Sequence, residues 1–534
     1  MPWLLACPRP KWEKWSLAGL TLLVAVILLP ALERVPRVFM DECWAEAMAG
    51  YTLAFEGRPR NPGLMGWGGV NEYFLQPRLF SAVIVAPVYR LAGYGLAQSR
   101  ATSAVFGFLF IFGVYGVMRR LFGPAAATAV SVMTAVDPWF FLTGRQFRPE
   151  IFLAANLWWS LYFLLGALRH ESGWRALVSG VLLGLAAWTH PNSMVFGAAS
   201  VLAAMVLVGP RRRWLRTLPH LTVGGMLGLL PYVAYVLYVQ SVSDVRLLDQ
   251  LHPGRLSPYA RPIAEMLTTE WQRWSAFLRF PLRAPLLVLY LIAVVAAALR
   301  RQRADLFVLL SILLAGAFLP LVVGVPWPRY LLVLLPALAA LVWRALPWQP
   351  GIEAVKGAAP GRAPAVRSRA AMAGLGVAVF AAMTAAPTAA LAWKHRTADF
   401  AAFVRPIARL IPPDARVMAN IMFWSELHNR PFIASFPPDF GFDWEDEQAA
   451  AAHIRRYRPE YLIQESQLFS TSGGLGPQSR DLRAVPFGRA CEIVAGEMPA
   501  ENLGEFEDYH YGAIRVWRFY WPEPATSSAP TPQR

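Results

Sequence analysis

Residues 16–44 read SLAGLTLLVAVILLPALERVPRVFMDECW, an uncharged apolar run from Ser16 to Leu32, then Glu33, Arg34 and Arg37, then Asp41-Glu42. The run is long enough to approach the ~30 Å hydrocarbon thickness of a bilayer. If it spans, the two acids sit at a membrane–water boundary. Partial desolvation there raises a carboxylate's proton affinity and neighbouring arginines lower it, so Asp41 is a candidate general base. The plainer alternative is that an acid pair after a spanning helix simply opens a solvated loop.

The rest of the chain weighs on that choice. Of 534 residues, 56% are hydrophobic and only 16% charged, and the mean hydropathy is positive. That composition describes a polytopic membrane protein rather than an ordinary soluble enzyme. A net charge of +16 would suit nucleic acid, but a nucleic-acid binder gathers its basic residues on one face or groove. Here they fall in short connectors between apolar runs, as membrane topology requires. Cys7, Cys43 and Cys491 form neither a metal-ligand spacing nor a disulfide framework. Arg9, Lys11 and Lys14 before the first run resemble a signal peptide, yet Leu29-Pro30-Ala31-Leu32-Glu33 is no small-residue cleavage site, so the first helix is expected to be retained.

After that helix, residues 33–76 are polar and rich in Gly and Pro, with a turn at Asn61-Pro62-Gly63, and cannot cross hydrocarbon. Residues 79–96 are apolar but interrupted by Pro87, Arg90, Gly93 and Gly95, which suits an interfacial or re-entrant helix within an outer loop covering 33–100. Spans are then expected at 101–118, 124–142, 150–168, 175–190, 193–209, 218–240, 285–299, 305–325, 329–346 and 371–391, about eleven transmembrane helices with the first. An inside N-terminus makes every inside connector basic: Arg119-Arg120, Arg169 with Arg175, Arg211-Arg212-Arg213 with Arg216, Arg300-Arg301 with Arg303, and Lys356, Arg362, Arg367 and Arg369. Were 79–96 a full span, those loops would face outward, against the positive-inside rule.

Residues 347–370 read as a flexible inside linker. The outer loop 241–283 carries an amphipathic run through Trp271 and Trp274 that suits the interface. From Lys394 the apolar runs shorten to strand length at 415–421, 431–436, 461–464 and 514–520, with a helical pattern at 445–457, so 393–522 reads as an extracytoplasmic α/β domain and 523–534 as a disordered tail. Residues 1–392 form the expected membrane domain.

Acids gather at the outer ends of the spans. Asp137 and Glu150 flank the turn Thr143-Gly144-Arg145-Gln146-Phe147-Arg148-Pro149, on the same expected side as Asp41 and Glu42. Basic groups meet them: Arg78, Arg145, Arg148, and Arg329 in Pro326-Trp327-Pro328-Arg329-Tyr330. Any single arginine there is by default a headgroup anchor, but several converging on paired acids suit a phosphate, which guanidinium grips bidentately. A proton-coupled transporter would more often bury charges at the midplane and repeat internally. No His/Asp cluster has metal-ligand spacing, and Asp439, Asp443, Glu445, Asp446 and Glu447 suit the acid-rich start of a helix better than a cation site.

These features together resemble a known superfamily. The Asp-Glu after the first helix, Arg119-Arg120-Leu121-Phe122-Gly123, the Arg145 to Glu150 turn and Pro328-Arg329-Tyr330-Leu331-Leu332 with Pro336 look like the GT-C glycosyltransferases, in the branch of protein O-mannosyltransferases and the lipid A aminoarabinose transferase. The resemblance implies transfer of a sugar from a polyprenyl-phosphate carrier to a lipid, glycan or protein acceptor on the outer face of a bacterial inner membrane, with inversion and no added cofactor or metal. Asp41 would be the base, Glu42 its neighbour and Glu150 a second acid. Arg329, with Arg78, Arg145, Arg148 and His190, would hold the carrier phosphate. Leu75-Gln76-Pro77-Arg78 replaces the His-Pro-Pro of protein mannosyltransferases, which speaks against protein O-mannosylation. His190, in Trp188-Thr189-His190-Pro191, stands where relatives often carry lysine, and suits either phosphate contact or a helix cap. The rival readings are a lipid or polysaccharide transporter and a non-catalytic glycan-binding membrane protein.

Overall fold

The structure, a computed structural model, describes residues 10–39, 42, 46–65, 68–251, 262–279, 283–322, 327–346, 363–435, 446–466 and 479–522. Asp41, the linker at 347–362, and Asp439, Asp443 and Glu445 lie outside the described residues. The chain divides into two compact units, the first made of residues up to 36, 45–59 and 73–396, the second of 37–44, 60–72 and everything from 397, as far as these are described.

The first unit is helical: α1 (Lys11–Leu28), α2 (Glu46–Glu56), α3 (Leu79–Ala92), α4 (Leu96–Phe122), α5 (Pro124–Ala135), α6 (Pro138–Arg145), α7 (Pro149–His170), α8 (Gly173–Ala187), α9 (Ser193–Leu207), α10 (Arg211–Val242), α11 (Leu247–Gln250), α12 (Ile263–Leu278), α13 (Ala284–Arg300), α14 (Arg303–Val322), α15 (Leu335–Ala345) and α16 (Ala363–His395), with a 3-10 turn at Pro328–Val333 before α15. The composition and these apolar helices make the chain a multi-pass membrane protein. Among the described residues, α4, α7, α10 and α14 are long and apolar enough to cross a membrane, five spans if the pair α5 and α6 counts as one. That is fewer than the eleven expected. Shorter helices account for much of the difference: α8 and α9 have 15 residues each, about 22 Å of rise, less than the hydrocarbon core.

The expected single span at 124–142 is instead bent by 69° between α5 and α6. Asp137-Pro138 accounts for it. The residue before a proline is pushed out of the helical region, Pro138 opens α6 at its first position, and Asp137 caps that helix, its Oδ1 accepting from the Trp139 N–H at 2.8 Å. The fully buried Arg283 then holds the same carboxylate, Nη2 to Oδ2 at 2.7 Å. Asp305 plays the same role elsewhere, joining α13, α14 and α15 by accepting from Arg300 Nε at 3.0 Å and Arg344 Nε at 2.8 Å. Arg119 and Tyr115 of α4 grip Glu13 of α1, and Arg120 lies over the Tyr162 ring at 3.4 Å. The Arg-Arg pair at 119–120 thus ties α4 to its neighbours.

Helices α8 and α10 meet backbone to backbone. Gly180 and Gly184 on one, Gly224 and Gly228 on the other, repeat at the four-residue spacing that aligns small residues on one helix face. A Cβ at Gly180 would lie 2.1 Å from Leu221 O, one at Gly184 2.3 Å from Gly225 O, one at Gly224 2.1 Å from Leu177 O and one at Gly228 2.2 Å from Val181 O. No side chain fits that seam.

In the second unit, α17 (Phe400–Leu410), α18 (Trp424–Leu427), α19 (Glu447–Tyr457) and α20 (Pro486–Glu497) accompany β1 (Val417–Ala419), β2 (Phe432–Ala434), β3 (Tyr461–Glu465), β4 (Ala500–Asp508) and β5 (Gly512–Phe519). The strands form one mixed sheet in the order β2-β1-β3-β5-β4, with β1 parallel to β2 and β3, and β5 antiparallel to β3 and β4. Met418, Ile433 and Leu462 pack with Ile454 of α19 and Phe487, Cys491 and Val494 of α20 in one apolar core. Asp446 caps α19 through the Gln448 and Ala449 N–H groups, and Glu447 pairs with Arg489. At the end of β3 the buried Glu465 accepts from Asn420 Nδ2 at 2.6 Å, and burial pushes its carboxyl up to about 8.

Candidate active site

In the first unit three of the expected site residues, Arg148, Glu150 and Arg329, gather around the start of α7. Arg148 is extended, as a residue before proline tends to be, and Pro149 opens the helix. Glu150 follows in the first turn, where the helix dipole favours an acid. Arg148 reaches forward to clasp it with both ends of its guanidinium, Nη2 to Oε1 at 3.0 Å and Nε to Oε2 at 3.2 Å. Arg329 Nε lies 2.9 Å from the same Oε1. Glu150 and Arg148 are each 2% exposed at the side chain, Arg329 17%. The inner pair is sunk, and Arg329 is the more exposed of the two cations.

The 3-10 turn carrying Arg329 is fixed at two points by α7. Glu150 meets Arg329, and Trp158 Nε1 donates to Val333 O at 3.1 Å. Eight residues of α-helix rise about 12 Å, so the turn lies along α7. Trp327 stacks under the guanidinium, its ring centroid 3.9 Å from Arg329 Cζ, a cation–π contact that holds the group without using its N–H donors.

Tyr330, next in the chain, packs its ring 5.2 Å from that of His190. His190 Nδ1 accepts from the Asn192 N–H at 3.2 Å, which leaves the ring proton on Nε2 as a donor when the imidazole is neutral. Arg78 is buried at the start of α3, its N–H donating to Gln76 O at 2.7 Å and its carbonyl accepting from Ser81 Oγ at 2.9 Å. Phe80, two residues on, contacts the rings of Trp188 at 5.4 Å and Phe152 at 6.4 Å, and its N–H donates to Trp188 O. Arg78, Glu150 and His190 each lie two residues from one member of that ring cluster, so it relates three separate segments. Two arginines against one carboxylate leave the Arg148–Glu150–Arg329 cluster net positive.

Farther along α7, residues of α4, α7, α9, α14 and the 3-10 turn line an apolar crevice, walled by Met118, Trp158, Phe196, Phe307 and Val333 among others. Arg145 is spent elsewhere: Nε donates to Val35 O and Nη1 to Ile27 O, both at 2.8 Å, and Nη2 to Pro30 O. These are carbonyls at and beyond the end of α1, where a cation complements the helix dipole. Glu42 is buried in the second unit, its N–H donating to Phe39 O at 3.0 Å. Among the described residues no group of three or more His, Cys, Asp or Glu could hold a metal ion. Sequence reasoning missed Trp327 and Tyr330 as partners, although they stand two residues before and one after Arg329.

Residues 76–238, which include Arg78, Glu150 and His190, match the family described as dolichyl-phosphate-mannose-protein mannosyltransferase. Among solved structures, the chain superposes on ArnT from Cupriavidus metallidurans in the apo state with a TM-score of 0.59 at 16% identity, over 95% of this chain and 97% of that one. The same protein bound to undecaprenyl phosphate gives 0.56 at 15% identity, over 95% and 98%. The fold is that of the GT-C superfamily. No curated protein sequence matches the chain. Within the GT-C fold, the Arg148-Glu150-Arg329 cluster falls at the start of one long apolar helix and on the 3-10 turn packed along it.

Proposed function

We propose that the protein is a membrane glycosyltransferase that moves a sugar from a polyprenyl-phosphate donor to a cell-envelope acceptor on the extracytoplasmic face. The observation that carries the reading is Arg329, held by a buried Arg148–Glu150 pair and against the Trp327 ring at the start of a long apolar helix. A cation at the end of a long apolar helix suits a phosphate on a long lipid. The GT-C fold and the family match over 76–238 support it, and the relative holding undecaprenyl phosphate supplies the ligand class.

In this reaction the acceptor hydroxyl oxygen attacks the anomeric carbon as the bond from that carbon to the phosphate oxygen breaks, inverting the centre. Asp41 takes the acceptor proton, with Glu42 beside it in sequence. The negative charge that grows on the leaving phosphate is met by Arg329, with Arg78 and Arg148 adding positive field and His190 a neutral N–H donor. Glu150, both oxygens engaged by guanidinium groups, orients Arg329 rather than moving a proton. The products are a polyprenyl phosphate and a glycosylated lipid, glycan or protein.

The test is a pair of variants in lipid nanodiscs. Arg329→Met is expected to weaken undecaprenyl phosphate binding at least tenfold, and Asp41→Asn to keep that binding while abolishing sugar transfer. The glycan and lipid profile of a deletion strain names donor and acceptor by the decoration that disappears. Unchanged lipid-phosphate affinity in Arg329→Met, together with an unaltered profile, would overturn the assignment.

A further inference from the structure

Residues 73–76 precede Arg78, and three of their main-chain groups, Tyr73 O, Leu75 N–H and Leu75 O, are satisfied by side chains from distant parts of the chain. Gln250, the last residue of α11 and 1% exposed, turns its amide onto this segment: Oε1 accepts from the Leu75 N–H at 2.8 Å and Nε2 donates to Tyr73 O at 2.6 Å. The Gln250 carbonyl in turn accepts from Gln76 Nε2 at 3.3 Å. Tyr232 of α10 completes the set, its hydroxyl donating to Leu75 O at 2.7 Å. One glutamine thus makes the paired donor and acceptor contacts that a neighbouring strand would make, on an irregular segment whose Phe74 N–H donates on the other side to Pro59 O.

We infer that Gln250 is a positioning residue for the phosphate site, locking the 73–76 segment so that Arg78 is fixed at the start of α3, two residues before Phe80 of the Phe80–Trp188–Phe152 ring cluster. This rests on the lipid-phosphate reading above. The lock matters because a long arginine side chain loses considerable rotamer entropy when immobilised, and a backbone already held in place lowers what binding must spend on ordering. Asparagine, one methylene shorter, cannot reach both groups, and glutamate keeps the acceptor for Leu75 while setting an oxygen against Tyr73 O. A residue that only held the fold together would affect every ligand alike. A residue that aims Arg78 affects the phosphate and not the chain it is attached to.

The experiment compares undecaprenyl phosphate with undecaprenol, which lacks the phosphate, on the full chain in nanodiscs. Wild type is expected to prefer the phosphate at least tenfold. Gln250→Ala and Gln250→Glu are expected to lose most of that preference, with undecaprenol affinity unchanged. If wild type shows no preference, the lipid-phosphate reading fails and this inference with it. If wild type discriminates and both variants discriminate equally well, the positioning role alone is overturned. It is overturned too if both lipids weaken in parallel, since that marks Gln250 as structural only.

Discussion

Glu465→Gln is expected to remove a pH dependence that the folded second unit now carries. The Glu465 carboxyl sits at about 8 because burial disfavours its charge, against an ordinary value of 4.5. Between those values the unfolded chain has released the proton and the folded chain still holds it. Unfolding therefore sheds a proton, and stability falls as pH rises, by up to ~1.4 kcal/mol per pH unit. The contribution is complete below about 4.5 and gone above about 8. Its full span is about 5 kcal/mol, from ~1.36 kcal/mol per pH unit. Hydrogen exchange of the β3 and β5 amides, corrected for intrinsic rates and followed across that window in the full chain, reads the opening free energy strand by strand. The variant keeps an acceptor for Asn420 Nδ2, so its curve should run flat relative to wild type and lie above it at high pH. Parallel curves for the two proteins would refute the argument that Glu465 folds uncharged.

At the glycine seam, Gly228→Ala is expected to lower the thermal midpoint, at the ~1–3 kcal/mol typical of overpacking, because the new Cβ would lie 2.2 Å from Val181 O. Gly316→Ala, with nothing within 4 Å, serves as the control and should change little. Asp137→Ala is expected to cost ~3–5 kcal/mol by leaving Arg283 buried without its anion. Adding Arg283→Met should recover part of that loss, and a double-mutant cycle by thermal unfolding measures the coupling. Glu150→Gln should weaken undecaprenyl phosphate binding less than Arg329→Met does, since Trp327 still supports the guanidinium; equal losses in a binding titration would contradict the aiming role.

Much of the helical architecture was legible because its punctuation is local. Gly123-Pro124 and Pro149 mark helix starts where proline's missing N–H costs nothing, and the observed helices begin there. The bend at Asp137-Pro138 was passed over because the hydropathy on either side hides one capped carboxylate, and its buried partner Arg283 lies far along the chain. Strand β4, AENLGEFED, carries too few apolar residues to register as a strand, since it lies at the sheet's edge and hides little. The packing of described parts of 37–44 and 60–72 with the C-terminal unit is non-local and left no mark in composition. Around Arg329, charge and side in the topology suggested a phosphate site. Which cation faces outward and which is spent on Glu150 or on the carbonyls after α1 depends on side-chain directions that spacing does not encode.

The acidic face of β4 has a consequence for how copies of this chain meet. Among the described residues no strand pairs with its outer side, and it carries Glu501, Glu505, Glu507 and Asp508, of which Glu505 and Glu507 are met by Arg515 and Arg480. Two such borders laid alongside each other would bring same-sign charges within a strand's spacing of ~4.8 Å. Ribbon-wise stacking through this border is therefore repelled before any main-chain hydrogen bond can form, and crowding in the plane of a membrane need not turn an open sheet into a polymer.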